Sequence, residues 1–274
     1  MKTHFLPLLF LGCWHHCVKG QIIGQTFGAE CLSLAKIGTL SPSGFEVFNN
    51  PALIAKNTHT SLNLFHTTPY FQKNLAQAGI CFQNPGYKLP FGFGLIQQGN
   101  RYFNQQLIST SIAKKLSKHL YLGAGFNYLI TQQFQLPSRG NFIGTIGMFF
   151  QLNEKWNLSS HIINLNGASY ALERTEIIPT IIQLGSSFQF NDQLVFYAEI
   201  EQALKQQSTS KLGLKYQLNN QFNLLFGYKN NPQQPSFGAS YKSKKTKIIL
   251  GTNHHRFLGF SSFVEFQFVI GQKK

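Results

Sequence analysis

The sequence predicts an all-β chain, an antiparallel transmembrane β-barrel of about fourteen strands with a short helical plug at its N-terminus. Two patterns carry this expectation. Charged residues make up only 12% of the chain against roughly 25% in soluble domains, so part of the surface faces something other than water. Apolar residues also alternate with small or polar ones over most of the length, around reversals rich in Asn and Asp. The 27 Phe and 24 Gly favour strands and tight turns, which argues against an all-α enzyme. No run of about 18 apolar residues follows the N-terminal region, so helical membrane spans are not expected.

Residues 1–20 read as a signal peptide, with Lys2 and His4 at its head, an apolar stretch from Phe5 to Trp14, and cleavage after Val18-Lys19-Gly20. A lipid-attachment box at Cys13 fits less well, because Phe10 stands where Leu is expected. The formal charge is +15, and losing Lys2 and Lys19 leaves 22 basic residues against 9 acids, or +13. For an exported chain that excess points to lipid phosphates, lipopolysaccharide or acidic solutes rather than nucleic acid. Cys31 and Cys81 remain as one possible disulfide, which spacing alone leaves open.

Residues 21–57 alternate poorly and carry helix punctuation, as expected of a plug. Ser43 and Glu46 have capping-box spacing. Asn50 before Pro51 suits a second helix start running through Ala52 and Leu53, so two short helices should meet at Asn49-Asn50.

Residues 58–271 form the expected barrel, with strands near 58–67, 72–83, 88–98, 104–115, 119–132, 141–152, 155–165, 179–190, 193–203, 209–218, 221–229, 235–243, 246–255 and 260–270. Two-residue reversals such as Glu154 after Asn153, or Asp192 after Asn191, keep one parity from strand to strand. Even positions such as Phe126, Leu214 and Phe226 should therefore face lipid. Odd positions such as Gly123, Gly125, Gly147, Gln183, Glu199, Gly213 and Glu265 should face the lumen, where small residues would let the plug approach. Short turns alternate with longer loops, which puts the turns and both chain ends in the periplasm. The alternative is a secreted soluble β-sandwich binding protein, whose outward face should carry more charge.

Around Gly28-Ala29, Leu34-Ala35 and Phe48-Asn49-Asn50-Pro51-Ala52-Leu53 the chain resembles the FadL-like superfamily of outer-membrane barrels, in particular the branch with the PorV and PorQ proteins of type IX secretion. It departs at Glu30, where Arg is usual, and at Ile54. The resemblance implies the outer membrane of a Gram-negative bacterium and passage of a small hydrophobic or amphipathic solute. It implies, alternatively, an interaction protein that binds exported proteins or secretion-system components. A solute with an acidic head would use the plug's Phe45, Phe48 and Leu53 and a lumenal lysine among Lys211, Lys215 and Lys229. Asn49, Asn50, Pro51 and Ala52 would form the plug motif.

No nucleophile elbow, P-loop or His-Glu-x-x-His occurs, so no catalytic residues and no cofactor are expected. The adjacent His254 and His255 point to opposite sides of a strand, which argues against a metal site. Ser159, Ser160 and His161 are likewise neighbours on alternating faces, which disfavours a phospholipase. Arg101, Arg139, Arg174 and Arg256 all fall at the expected outer loops, where guanidinium groups could grip lipopolysaccharide phosphates. Lysines crowd the turns instead, so the lumen and its periplasmic mouth should be basic.

Overall fold

The computed structural model describes residues 22–40, 43–86, 88–169, 178–204 and 206–272. The expected signal peptide and Arg174 lie outside the described residues. Three short helices come first, α1 at Ala29–Ser33, α2 at Glu46–Asn49 and α3 at Ala52–Lys56. Fourteen strands follow: β1 His59–Thr68, β2 Gln77–Asn84, β3 Phe91–Gly99, β4 Phe103–Lys115, β5 Leu120–Gln133, β6 Arg139–Gln151 and β7 Trp156–Ile163 make the first half. The second half is β8 Ile181–Gln189, β9 Leu194–Ala203, β10 Thr209–Gln217, β11 Phe222–Lys229, β12 Gln234–Lys242, β13 Thr246–His255 and β14 Gly259–Gln272. Each strand pairs with its sequence neighbour, and β1 closes on β14.

Closure leaves no strand edge unpaired, which is what a hydrocarbon environment demands of backbone N–H and C=O groups. The outer surface agrees: Phe126, Phe142, Leu184 and Leu250 are 64%, 74%, 57% and 57% exposed. Moving each such side chain out of water is worth about 1.5–3 kcal/mol, so the belt belongs in lipid. A soluble sandwich, the alternative raised by the sequence, is overturned by this closed single sheet.

The single parity expected along the barrel holds except on two strands. Paired residue numbers have an even sum in most hairpins, as in Leu120 opposite Phe150, but an odd sum where Asn84 meets Phe91 and where Phe222 meets Tyr241. Strands β3 and β12 are therefore turned over. Phe93 and Phe237 face outward, while Gly92, Gly94 and Ser236 face in. The next registers, Phe91 opposite Ile112 and Ser236 opposite Asn253, restore the original facing.

The lumen is filled by the N-terminal segment. Helix α1 packs on β11 to β14, and α2 and α3 pack on β3 to β6, so the segment bridges opposite arcs of the wall. Its own core is aromatic, with Phe27 edge-on to Phe48 at 5.4 Å and Phe45 edge-on to the wall's Phe65 at 5.6 Å. The inward face is less uniformly small and polar than the sequence pattern implies. Phe149, Leu129, Ile143, Leu225 and Ile249 point inward and are fully buried against the plug or its surroundings. An apolar plug needs apolar wall to bury against, since apolar surface left facing a water-filled lumen would be unfavourable.

One local expectation also changes, and one open point is resolved. The capping box is shifted: Phe45 is the N-cap of α2, the Ser43 hydroxyl accepts from the Phe45 N–H at 3.3 Å, and the Glu46 carboxylate accepts from the Gly44 N–H at 3.1 Å. Cys31 and Cys81 are both buried free thiols.

Candidate functional site

The site is the contact between plug and wall, together with the vestibule at the end of the barrel that carries the short turns. Glycines open space for it. A methyl group on Gly123 would collide with the Pro51–Ala52 backbone, one on Gly147 with the Asn50 side chain, and one on Gly213 would press on Leu34, whose Cβ lies 3.3 Å away. The Asn50-Pro51 bend thus sits on a glycine shelf. Asn50 holds it there, accepting from the Ala52 N–H at 3.1 Å and donating to Thr39 O at 2.9 Å and to the wall carbonyl of Met148 at 3.3 Å. Asn49 ties the plug to itself, accepting from the Phe27 N–H at 2.9 Å and donating back to Phe27 O at 2.7 Å.

Against β9 to β14 the contacts are ionic. Glu265 accepts from the Ala29 N–H at 2.6 Å, and Glu199 accepts from the Gly38 and Thr39 N–H groups at 3.2 and 3.1 Å. These amides come from segments without a helical partner, so wall carboxylates satisfy plug backbone. Lys211, 1% exposed, bridges Glu199 and Glu201 at 2.7 Å each and donates to Lys36 O at 3.0 Å. That carbonyl is presented by consecutive left-handed residues, Ala35 at φ 57° and Lys36 at φ 65°, which cost about 1 kcal/mol or more each. On α1, Glu30 binds Lys215 at 2.7 Å and also Lys247. Burial pushes the Glu30 carboxyl up, but the two ammonium groups outweigh it and hold it at about 2. Among the described residues Glu46 has no ion-pair partner. Burial raises its carboxyl above the usual range despite the Gln83 amide and backbone donors.

The lumen expected to be basic is therefore ion-paired. Glu30, Glu46, Glu199, Glu201 and Glu265, five of the nine acids in the chain, lie inside the barrel. The vestibule at the turn end keeps the basic character: a cavity of about 390 Å³ is lined by Lys56, Lys215, Lys242 and Lys247, with Leu53 and Val269 as its apolar part.

The six residues expected to hold a solute are not brought together. Phe45 and Phe48 are closed into the plug core, and Lys211 is engaged by two carboxylates. Leu53 and Lys215 line the vestibule, while Lys229 sits opposite Lys211 toward the loop end. Arg101 and Arg256 are exposed at the loop end, over the rings of Tyr102 at 4.6 Å and Phe257 at 5.5 Å, and Arg139 opens β6 there. His255 Nδ1 accepts from the Phe257 and Leu258 N–H groups, and His254 lies 4.6 Å from the Phe260 ring, so both serve the β13–β14 turn. Ser160 faces outward, whereas Ser159 and His161 face the plug. Sequence alone missed α1 and the carboxylate latches, because their partners are about 160 to 236 positions apart. The inward parity of Glu199 and Glu265 was the available signal.

No family model and no curated protein matches the sequence. Solved structures do. The Pseudomonas putida toluene transporter TodX superposes with a TM-score of 0.65 at 12% identity, over 90% of this chain and 99% of that one. A monoaromatic hydrocarbon channel, CymD, gives 0.66 at 13% over 91% and 99%, and a Pseudomonas aeruginosa FadL homologue gives 0.62 at 12% over 89% and 98%. The likeness is one of fold: this chain shares the closed antiparallel barrel of those structures.

Proposed function

We propose that this chain is an outer-membrane barrel that passes a small hydrophobic or amphipathic solute when the N-terminal plug moves. The observation that carries the proposal is that the described residues of the plug add no strand to the barrel: they are held by side-chain latches and glycine contacts, so the plug can shift while the strand-to-strand hydrogen bonds of the wall persist. Structures sharing the fold are described as toluene transporters and monoaromatic hydrocarbon channels, which supports an apolar solute. The turn end would face the periplasm, and Arg101, Arg139, Arg174 and Arg256 would contact lipopolysaccharide phosphates at the other rim. Deleting 21–56 should leave a foldable barrel with much higher conductance in planar bilayers, while the full chain conducts weakly. Equal conductance of the two forms contradicts a plug.

A second reading, an interaction protein of PorV/PorQ type, is favoured by the dense packing of the plug, with Phe45, Leu53 and Ile54 at most 1% exposed. It expects stable co-purification with a secretion complex and no solute flux in reconstituted vesicles.

A further inference from the structure

The vestibule at the turn end collects charge that plug docking leaves uncompensated. Lys56, Lys215, Lys242 and Lys247 line one cavity of about 390 Å³, the size of a small-molecule site. Among the described residues only Glu30 is ion-paired with any of them, and it serves Lys215 and Lys247 together from behind the cavity wall. Glu265, the next wall acid, takes the Ala29 N–H. Lys56 lies over the Phe149 ring at 3.8 Å, a contact that leaves its ammonium protons free to donate. The amide side chains of Asn57, Asn223 and Gln267 add neutral polar groups to the lining. Several ammonium groups around one small space favour a dianion over a monoanion, because the attraction grows with the product of the charges.

We propose that this vestibule is a binding site for a phosphate-bearing ligand, and that its occupancy loosens the plug. A bound phosphate shares Lys215 and Lys247 with Glu30, so ligand and plug compete for the same two ammonium groups. The coupling is reciprocal: a weaker Glu30 contact means tighter phosphate binding. The site stands whether or not the barrel passes an apolar solute.

The test is calorimetric titration of the full chain, folded in neutral detergent at low salt, with inorganic phosphate, glycerol 3-phosphate, dihexanoyl phosphatidic acid and, as the uncharged control, glycerol. Saturable binding of one or more phosphates is expected, weakened at least tenfold by Lys56→Gln with Lys242→Gln, a pair that leaves the Glu30 latch intact. Binding by free phosphates supports a soluble ligand, and binding by the phosphatidic acid alone supports a lipid headgroup. Phosphate should also speed alkylation of the buried Cys31, beside Glu30 on α1, several-fold by peptide mapping, relative to the same protein with glycerol in place of phosphate. Binding that the double variant does not weaken, glycerol binding as well as phosphate, or no binding overturns the site. An unchanged Cys31 rate at saturating phosphate overturns the coupling.

Discussion

The two arcs of wall that grip the plug do so by different physics. Along β9 to β14 glycines such as Gly213 and Gly227 also meet the plug, but the directional part of the grip is ionic, through Glu199, Glu265 and the Glu30 contacts to Lys215 and Lys247. Along β3 to β6 it is steric and neutral, with the Asn50-Pro51 bend and Val47 lying against Gly92, Gly123 and Gly147, the Ser111 and Ser109 hydroxyls donating to Val47 O at 2.9 and 3.4 Å, the Ile22 N–H to Gln105 at 3.0 Å, and Asn50 to Met148 O at 3.3 Å. An ionic contact can be competed away by another charge, whereas a glycine shelf yields only to a change of shape. The ionic arc is therefore the natural point of release and the glycine arc the natural pivot.

Removing one side of the ionic grip should have the largest effect. Glu30→Ala leaves two lysines facing each other without their counter-charge and should weaken plug docking by about 3 kcal/mol, the low end for a broken buried pair because the vestibule admits water. Faster Cys31 alkylation and raised conductance would register it. A substitution on the lipid face should instead weaken the whole barrel: Phe226→Arg should cost about 2–4 kcal/mol if it lies near the bilayer midplane, and Gln217→Arg on the lumenal face far less, as read by heat-modifiability of the folded band. Equal loss at both positions would contradict the assignment of faces. On the glycine arc, Gly123→Val should cost about 1–3 kcal/mol by overpacking and displace α3 while the Glu30 contacts persist. Ser111→Ala should cost about 0.5–1.5 kcal/mol in the same assay.

The smallest effect is on pH. A carboxyl lowered to about 2 stabilises docking above its ordinary pKa and loses that stabilisation only as pH falls toward 2, so the Glu30→Ala deficit should stay flat from pH 5 to 8. Glu46 has the opposite sign. Its raised carboxyl makes ionisation costly as pH rises past the ordinary value, so Glu46→Gln should gain thermal midpoint at pH 8 relative to pH 5.

Much of the wall was legible from periodicity, because each hairpin is local: Phe150 and Trp156 face the same side across Asn153 and Glu154 in both sequence and structure. The facing of β3 and β12 was not, since it depends on register across irregular connections rather than on alternation within a strand. The glycine shelf was also foreseeable, since inward parity marked Gly123, Gly147 and Gly213 before their contacts were known. The ionic grip was half visible. Glu199, Glu265, Lys211 and Lys215 had lumenal parity, but the Glu30 partner of Lys215 and the amides that meet Glu199 and Glu265 sit on a segment with no alternation to fix its placement, so these contacts could not be read from the sequence.

The central claim is that the plug must move for solute to pass, and a reversible lock tests it most directly. Leu34 and Gly213 face each other across the plug–wall contact, with the Leu34 Cβ 3.3 Å from where a Gly213 side chain would begin. Paired Leu34→Cys and Gly213→Cys substitutions should therefore form a disulfide that fastens the segment after α1 to β10. In vesicles containing the oxidised pair, entry of a small monoaromatic solute should fall to the protein-free background, and reduction should restore it. Flux that is the same in the oxidised and reduced forms would contradict the account.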